Sequence, residues 1–232
     1  MSQSPILITG GARRLGLHCA QRLLDDGHPV IVTYRTERDD LVALRQRGAT
    51  TLAADFSSPA GIEDFIHRLK QTTQSLRAIV HNASEFHADP EPSAASDTLE
   101  RLFRVHMQAP YTINLHARAL LEACPEPQRD IVHITDSLVP RGAAGQAAYL
   151  ATKAGLESLT RSLAMSLGPT IQVNAIAPGT LMQQDDGAPG RRVPGPGVLY
   201  QTLRYLLDND YVTGAVMTLD RDASANDDAT GR

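Results

Sequence analysis

The chain has 232 residues, of which 42% are hydrophobic and 21% are charged, and its formal net charge is −4. This length and composition allow one substantial hydrophobic core, so we expect a single domain spanning residues 1–232. The small negative charge and the absence of any long run of lysine and arginine give no support for nucleic acid or an anionic membrane as the main partner.

Two further features of the sequence narrow the class of protein. The two cysteines, Cys19 and Cys124, lie far apart, which predicts neither a disulfide framework nor a metal site. No signal peptide precedes the first apolar segment, and no apolar run reaches the length of a membrane span, about 18 residues. We therefore expect a soluble cytoplasmic protein.

The N-terminal segment predicts a strand, a glycine turn and a helix. The apolar run Pro5–Thr9 is typical of a buried strand, and the helix after it extends to about Asp26. Gly10 and Gly16 in the turn would let the backbone approach a diphosphate, whose charge is favoured by the amide groups at a helix start. Many such turns use glycine only to reverse the chain, but this one opens the first strand–helix–strand unit, where dinucleotide folds bind phosphate.

The end of the second predicted strand, Val30–Tyr34, indicates which nucleotide would be preferred. A cofactor with a free adenosine ribose usually meets a carboxylate at this position, whereas this chain has Arg35. Together with Arg13 and Arg14 in the glycine turn, Arg35 could hold a 2′-phosphate, which favours NADPH over NADH. The alternative is that these arginines are ordinary surface charges.

The rest of the chain continues the alternation of strands and helices. Asp55 follows the third strand, Thr51–Ala54, and could either contact adenine or cap the helix that begins near Ser58. Residues 183–197 are rich in glycine, proline and charge, so they form either a substrate loop or a solvated linker. The later elements are predicted as strands over Leu76–His81, Ile131–Thr135, Thr170–Ala177 and Ala215–Leu219, and as helices over Ser96–Ala123, bent at Pro110, and Val198–Leu207.

The segment 131–155 combines the residue types of an active site. Asp136 follows a strand, where a parallel sheet usually places its chemistry, and the next helix carries Tyr149 and Lys153. Four residues apart, Tyr149 and Lys153 share one helix face, where the ammonium can favour the tyrosinate form and tune the phenol for proton transfer. The alternative is an ordinary helix pair with a solvated lysine.

Four features, in this order and spacing, resemble the short-chain dehydrogenase/reductase family over essentially the full chain. They are Thr9-Gly10, Asn82-Ala83, the Tyr149/Lys153 pair and Pro178-Gly179. The resemblance implies an α/β fold, a single doubly wound Rossmann domain with a seven-stranded parallel sheet, and an NAD(P)(H) site at the carboxyl edge of that sheet. It also implies that the assembly is often a tetramer.

Within that family, the chain is similar to the pteridine reductases, and to the bacterial dihydromonapterin reductases among them. The usual middle glycine of the turn is Arg14 here, and the usual catalytic serine is Asp136. Asn82-Ala83 continues as Ser84-Glu85-Phe86. The resemblance implies that Arg14 reaches the cofactor phosphates and the pterin, that Ser84 contacts cofactor or substrate, and that Phe86 stacks on the pterin ring.

Two departures from the family pattern affect the expected site. The asparagine that many members carry on the long helix is His106, so the usual proton relay is in doubt, and His106 could equally be a packed helix histidine. The D-G-G ending after the last strand is Asp220-Arg221-Asp222, which puts the C-terminal contacts in doubt.

These features together predict NADPH-dependent reduction of a 7,8-dihydropterin, such as dihydromonapterin, to the tetrahydropterin, with weaker turnover of dihydrofolate. Tyr149 would donate a proton, Lys153 would lower the phenol pKa and hold the nicotinamide ribose, and Asp136 would bind the pterin amino group or relay a proton. The alternatives are an NADPH-dependent ketone or 3-oxoacyl reductase and a catalytically silent cofactor-binding regulator. The resemblance assigns substrate binding to Arg14, Ser84, Phe86, Asp136 and Tyr149, and cofactor binding to Gly10, Arg13, Arg14, Leu15, Gly16, Tyr34, Arg35, Asp55, Phe56, Asn82, Ala83, Ser84, Tyr149, Lys153, Pro178 and Gly179.

Overall fold

The computed structural model describes residues 3–179 and 195–220. The strands are β1 (Ile6–Thr9), β2 (Val30–Tyr34), β3 (Thr50–Ala53), β4 (Ala78–His81), β5 (Asp130–Ile134), β6 (Gln172–Pro178) and β7 (Val216–Leu219). The helices are α1 (Arg14–Asp25), α2 (Asp39–Gln46), α3 (Pro59–Thr72), α4 (Ala95–Phe103), α5 (Ala109–Glu122), α6 (Ala147–Leu167) and α7 (Gly197–Asp208), with a 3₁₀ turn at Pro92–Ala94 and a π-helical turn at Arg104–Gln108.

The strands form one parallel sheet that is covered on both faces. Ile6 and Ile8 of β1 point to one side and pack with residues of α1, α2 and α7, whereas Leu7 points to the other side and packs with residues of α3, α5 and α6. All three side chains are fully buried. The strands are therefore nearly continuous apolar runs, as expected for a parallel sheet between two layers of helices.

The strand order, β3–β2–β1–β4–β5–β6–β7, reverses direction between β1 and β4. In open α/β sheets, ligands bind in the crevice that such a reversal creates at the carboxyl ends of the strands. The register places Thr9 beside His81 and His81 beside His133. The residues that follow β1, β4 and β5 therefore meet at one edge of the sheet.

The doubly wound domain with a seven-stranded parallel sheet is confirmed, and the strand ends lie within two residues of the predicted ones. Two helical regions differ from prediction. The sequence pattern does not indicate α2, because only Leu41 and Leu44 of this short helix are buried. The predicted long helix is divided into α4 and α5 by the π-helical turn, which ends just before Pro110 and accommodates a residue without an N–H group.

Some of the predicted features lie outside the described residues. They are residues 183–194 of the predicted substrate loop, together with Arg221 and Asp222 of the C-terminal ending. Among the helices that are described, none combines the length and apolar character needed to cross a membrane.

Candidate active site

The glycine turn after β1 is held in place by Asn82, which follows β4. Asn82 Nδ2 donates hydrogen bonds to the carbonyl oxygens of Thr9 (3.1 Å) and Gly10 (2.9 Å). Gly10 has a φ of +65°, and a Cβ at this position would lie 2.7 Å from the Cα of Ala83. A Cβ at Gly16 would lie 2.4 Å from Asn82 Nδ2. Asn82 and Ala83 thus pack directly against the glycine turn. Gly10 and Gly16 are needed because a side chain at either position would collide with these two residues.

The start of α1 has the features that suit a diphosphate. The N-cap residue Arg13 makes no side-chain capping hydrogen bond, and the first turn of the helix contains no acidic residue. Arg13 and Arg14 are exposed beside these amide groups, whereas Leu15 is half-buried against the core. Free amide groups at a helix start and two neighbouring cations together favour an anion.

Arg35 forms an ion pair with Glu85 that joins the ends of β2 and β4, the two neighbours of β1. Arg101 on α4 donates two hydrogen bonds to the same carboxylate, at 2.6 and 2.8 Å. Burial pushes the pKa of Glu85 upward, but hydrogen bonds from Arg101 and His87 and the charges of Arg101 and Arg35 lower it to about 2. A phosphate would therefore have to compete with the permanently charged carboxylate of Glu85 for the guanidinium group of Arg35.

Asp55 stands exposed at the end of the third strand. Its Oδ1 accepts a hydrogen bond from the backbone N–H of Ser57 (3.0 Å). The cap of α3 is Ser58, whose hydroxyl accepts from the N–H of Gly61 at 3.1 Å. The sequence left two roles open for Asp55, a contact with adenine or the cap of α3. Ser58 is the cap, so the contact with adenine is the role that stays a prediction for Asp55.

Tyr34 and Phe56, both expected at the cofactor site, differ in exposure. The half-buried ring of Tyr34 lies 5.6 Å from the guanidinium carbon of Arg45. The ring of Phe56 is buried and packs edge-on against Phe65, with the centroids 5.3 Å apart. The side chain of Phe56 therefore belongs to the core beneath α3. A contact between Phe56 and the cofactor stays a prediction, and it would have to use the backbone.

Asp136, Tyr149 and Lys153 converge at the end of β5. The Tyr149 hydroxyl donates to Asp136 Oδ2 (3.1 Å), and Asp136 Oδ1 accepts from the backbone N–H of Leu138 (2.9 Å). Lys153 Nζ donates to the carbonyl oxygen of Ile134 (2.9 Å) and lies 5.7 Å from the centroid of the Tyr149 ring. Tyr149 and Lys153 are both buried, which excludes an ordinary solvated helix pair.

Burial changes the pKa values of the two helix residues in opposite directions. Burial and then the charge and hydrogen bond of Asp136 raise the pKa of Tyr149 well above its ordinary value. Burial lowers the pKa of Lys153 to about 8, while the charge of Asp136 opposes this change. The expectation that Lys153 lowers the phenol pKa is therefore corrected for this arrangement, since a carboxylate faces the phenol and the ammonium binds a backbone carbonyl. Tyr149 remains a protonated acid.

His106 connects Ser84 to the catalytic helix. Thr152 Oγ1 donates to the carbonyl oxygen of Tyr149 (2.7 Å), so it accepts from His106 Nδ1, 2.8 Å away. His106 Nε2 is then the acceptor for the N–H of Glu85 (3.3 Å) and the hydroxyl of Ser84 (2.9 Å). Burial lowers the pKa of His106 well below its ordinary value, so the ring is neutral. His106 is buried, but it holds the segment after β4 against α6.

Phe86 provides an exposed aromatic surface beside the buried phenol. Its side chain is 59% exposed, and its ring centroid lies 5.2 Å from that of Tyr149 at an interplanar angle of 69°. A large exposed aromatic ring next to a buried polar group is typical of a surface that binds a flat, partly polar ligand.

The segment after β6 and the end of β7 brace the loop that carries Asp136. The N–H of Ser137 donates to the carbonyl oxygen of Pro178 (3.2 Å), and Gly179 is so close that a Cβ would lie 3.2 Å from Ser137 Oγ. Asp220 accepts from Ser137 Oγ (2.9 Å) and from Arg141 (2.8 Å). Asp220, the first residue of the unusual C-terminal ending, thus helps to position this loop.

A family model described as short chain dehydrogenase matches residues 4–185 of this chain. The chain belongs to the short-chain dehydrogenase family. This membership agrees with the sheet order and with the converging tyrosine and lysine.

Relatives of this short-chain dehydrogenase include named reductases. It is 42% identical to dihydromonapterin reductase of Enterobacter sp. (strain 638), over 94% of this chain and 95% of the relative. It is 37% identical to dihydromonapterin reductase of Escherichia coli O6:K15:H31, over 93% of this chain and 95% of the relative. Its fold matches that of FolM alternative dihydrofolate reductase 1 from Brucella suis in complex with NADP, with a TM-score of 0.82, 28% identity and coverage of 94% and 93% of the two chains.

Sequence reasoning did not single out several residues that organise the site of this dehydrogenase. Glu85 and Arg101 form the ion pair beside Arg35, Thr152 orients His106, and Asp89 caps α6. Each acts across a long stretch of sequence, so no local pattern marks it. The described residues contain no cluster of three metal-ligating side chains.

Proposed function

We propose that this chain reduces a 7,8-dihydropterin, dihydromonapterin in the first instance, to the tetrahydropterin with NADPH, and that it reduces dihydrofolate more weakly. The observation that carries the proposal is the Tyr149–Asp136 hydrogen bond beside the exposed ring of Phe86. A proton donor, a carboxylate and a stacking surface are the groups that an amino-substituted nitrogen heterocycle requires. The named relatives support the same substrate class.

The residues at the crevice fit a phosphate-bearing nicotinamide cofactor. The glycine turn and the uncapped start of α1 would hold the diphosphate, with Arg13 and Arg14 as counter-charges. Arg35, half-exposed at the end of β2, would hold the 2′-phosphate in place of its bond to Glu85. Lys153 would bind the nicotinamide ribose. When bound, the reduced cofactor supplies the hydride.

The protein's own part in the reaction is to place a proton at the pterin nitrogen. Hydride addition to the carbon of a C=N bond leaves negative charge on the nitrogen, which a neighbouring acid must neutralise. Tyr149 is the proton donor at this position, since its hydroxyl carries a proton at neutral pH. Asp136 would accept hydrogen bonds from the pterin amino group and return a proton to Tyr149 from solvent. Phe86 would stack on the pterin ring, with Ser84 and Arg14 contacting its edge.

The test is NADPH oxidation followed by absorbance with 7,8-dihydromonapterin, dihydrofolate and a short 3-oxoacyl thioester at matched concentration. We expect the pterin to be turned over fastest and dihydrofolate more slowly. Preference for the thioester would establish an NADPH-dependent carbonyl reductase instead. NADPH binding without turnover of any substrate would establish a catalytically silent cofactor-binding protein.

A matched variant ties the activity to the proposed site. Tyr149→Phe retains the ring beside Phe86 but removes the proton donor, so we expect turnover to fall by about 10²-fold or more. NADPH affinity, measured by fluorescence titration, should stay within about twofold because the phenol is not its main anchor. Full turnover by Tyr149→Phe would contradict the proposed donor.

We also propose a homotetramer that uses the α4–α5 surface. These helices carry four large hydrophobic residues that are 44–48% exposed, namely Leu99, Phe103, Tyr111 and Leu115. Each helix contributes two of them, spaced by one turn. Light scattering should give the mass of four chains, and a monomer would contradict this assembly. The cytoplasmic location stays a prediction, and we also propose that the product serves one-carbon metabolism.

A further inference from the structure

The segment that leaves β4, residues 84–91, forms one wall of the candidate site. It carries Ser84 and the exposed ring of Phe86 and then leads to the 3₁₀ turn before α4. Near its start, His106 binds Ser84 and the N–H of Glu85. A second attachment, three residues beyond Phe86, is made by Asp89.

Asp89 binds the start of the catalytic helix with both carboxylate oxygens. Its Oδ2 accepts from the N–H of Ala147 (2.9 Å), and its Oδ1 accepts from the N–H of Ala148 (3.1 Å). Its own N–H donates to the carbonyl oxygen of Gly145 (2.8 Å). Two of these hydrogen bonds join the segment to the first turn of α6, and the third joins it to Gly145, which lies just before the N-cap residue. The carboxylate and its partners are 58 and 59 residues apart in the chain.

Helix α6 lacks a cap of its own. Its N-cap residue Gln146 makes no side-chain capping hydrogen bond, and its first turn contains no acidic residue. The first N–H groups of a helix have no partner within the helix, and the positive end of the helix dipole favours a carboxylate. Asp89, on the opposite wall of the site, supplies the missing hydrogen-bond acceptors and the negative charge.

The attachment lies close to the two rings that would enclose the substrate. Phe86 is three residues before Asp89, and Tyr149 immediately follows Ala148, whose N–H the carboxylate binds. The two rings are 5.2 Å apart. Any movement of the segment away from α6 would thus change the separation of the stacking surface and the proton donor.

We propose that Asp89 is a positioning residue for the reduction, a clamp that holds the Phe86 wall at a fixed distance from Tyr149. This role rests on the proposed pterin reduction. Among the described residues, the Asp89 side chain makes no hydrogen bond to Tyr149, and its exposed carboxylate acts on the site through the start of α6.

The kinetic test compares Asp89→Ala and Asp89→Asn with the wild-type protein. Without the clamp, only a fraction of molecules has the wall in place, and the apparent affinity for pterin falls by that fraction. For Asp89→Ala we expect the KM for 7,8-dihydromonapterin to rise about tenfold and kcat to stay within about twofold. Asp89→Asn keeps one carbonyl oxygen as an acceptor, so its KM should lie between the other two. The Kd for NADPH should be unchanged in both variants.

Hydrogen exchange, followed by mass spectrometry on the protein without substrate, tests the clamp independently of activity. Asp89→Ala should lose protection in the peptide that covers residues 145–150, whereas Asp89→Asn should lose less. Glu91→Ala is the matched control, since the Glu91 side chain is exposed two residues away and makes no hydrogen bond or ion pair among the described residues. It should leave both exchange and KM unchanged.

Three results would overturn the clamp. They are an unchanged KM in Asp89→Ala, an equal effect of Glu91→Ala, and a loss of thermal stability with neither exchange at 145–150 nor KM altered. If the wild-type protein turns over no pterin, the proposed function fails. The exchange measurement still decides whether Asp89 binds the start of α6 in solution.

Discussion

Tyr149 and Lys153 lie one turn apart on α6, and burial stabilises the neutral form of both. The pKa of Tyr149 therefore rises and that of Lys153 falls, whereas a tyrosinate beside an ammonium would require the tyrosine to have the lower pKa. The phenol stays protonated and the ammonium loses its proton first. Asp136 opposes part of this change at Lys153, because its negative charge favours the ammonium. The protonation state of Lys153 is therefore the feature of the site that depends on pH near neutrality.

The dependence of kcat/KM on pH should report this ammonium. A pKa of about 8 for Lys153 predicts a constant kcat/KM near pH 7 and a decline above about pH 8, as the lysine loses the charge that binds the ribose. Asp136→Asn removes the charge that raises this pKa, so the decline of its residual activity should begin at lower pH. A decline that moves to higher pH in this variant would contradict the assignment.

Arg14 combines a functional role with an unfavourable backbone conformation. Its φ of +50° lies in the left-handed region, which costs a residue with a Cβ roughly 1–2 kcal/mol. Glycine would have no such cost at this position. An arginine that bears the cost is therefore expected to be there for what its side chain binds.

Arg14→Gly should therefore separate stability from activity. We expect the free energy of unfolding, measured with urea, to rise by up to about 1 kcal/mol. The KM values for NADPH and pterin should rise about tenfold, because a charged hydrogen-bond donor is lost. Arg13→Gly is the control, since Arg13 has an extended backbone with φ −160° and should give no gain in stability. A loss of stability in Arg14→Gly would argue against strain.

At the scale of elements, the ends of β1 and β4 form one unit, because Asn82 binds the glycine turn. Gly16→Ala would place a Cβ 2.4 Å from Asn82 Nδ2 and 2.7 Å from the carbonyl oxygen of Gly10. Relief requires a backbone shift, so we expect a loss of about 1–3 kcal/mol in the free energy of unfolding and weaker NADPH binding. Gly197→Ala, where a Cβ meets nothing within 4 Å, should leave NADPH binding unchanged and should raise the free energy of unfolding by up to about 1 kcal/mol, because Gly197 is the first residue of α7. Equal effects of the two variants would contradict the role of the turn.

The same elements show which parts of the structure the sequence can predict. Strands were predictable because both faces of a parallel sheet are buried, so each strand is a continuous apolar run. Helix α2 was not, because Leu41 and Leu44 alone face the core and give less than one repeat of a helical pattern.

The candidate site divides in the same way. Tyr149, Lys153 and Asp136 could be placed together because a helix face and a strand end follow from local spacing. The Asp89 clamp and the Glu85 ion pairs join residues that are distant in sequence, and their geometry depends on the tertiary fold. The burial of Phe56 likewise follows from how α3 packs on the sheet.

At the scale of the whole molecule, the core contains histidines that are kept neutral by burial. His81 donates from Nε2 to Asn114 Oδ1 (2.7 Å), and Asn114 Nδ2 donates to His133 Nε2 (3.1 Å). His133 Nδ1 then donates to Thr160 Oγ1 (2.8 Å). Burial lowers the pKa of His81 to about 4, and the pKa values of His133 and His106 lie well below the ordinary value. Protonation of His133 or His106 at Nε2 would also break the hydrogen bond that this atom accepts, whereas His81 is kept neutral by burial alone.

These histidines predict that the fold loses stability in mild acid. Their pKa values are lower in the folded than in the unfolded chain, where histidine titrates near roughly 6.5, so the unfolded state binds more protons below that pH. Their contribution is complete above about pH 6.5 and is lost as the pH falls toward 4, by up to about 1.4 kcal/mol per pH unit for each histidine. Buried Asp130 opposes part of this loss, since burial raises its pKa despite the nearby Arg77.

Urea unfolding between pH 7.5 and 5 measures this loss directly. His81→Gln keeps an N–H donor toward Asn114 but cannot titrate, so its free energy of unfolding should fall less steeply with decreasing pH than that of the wild-type protein. His116→Gln, at an exposed position of α5, should follow the wild-type slope. Identical slopes for His81→Gln and the wild type would mean that the acid sensitivity arises elsewhere, since the substituted ring is the group whose protonation the fold excludes.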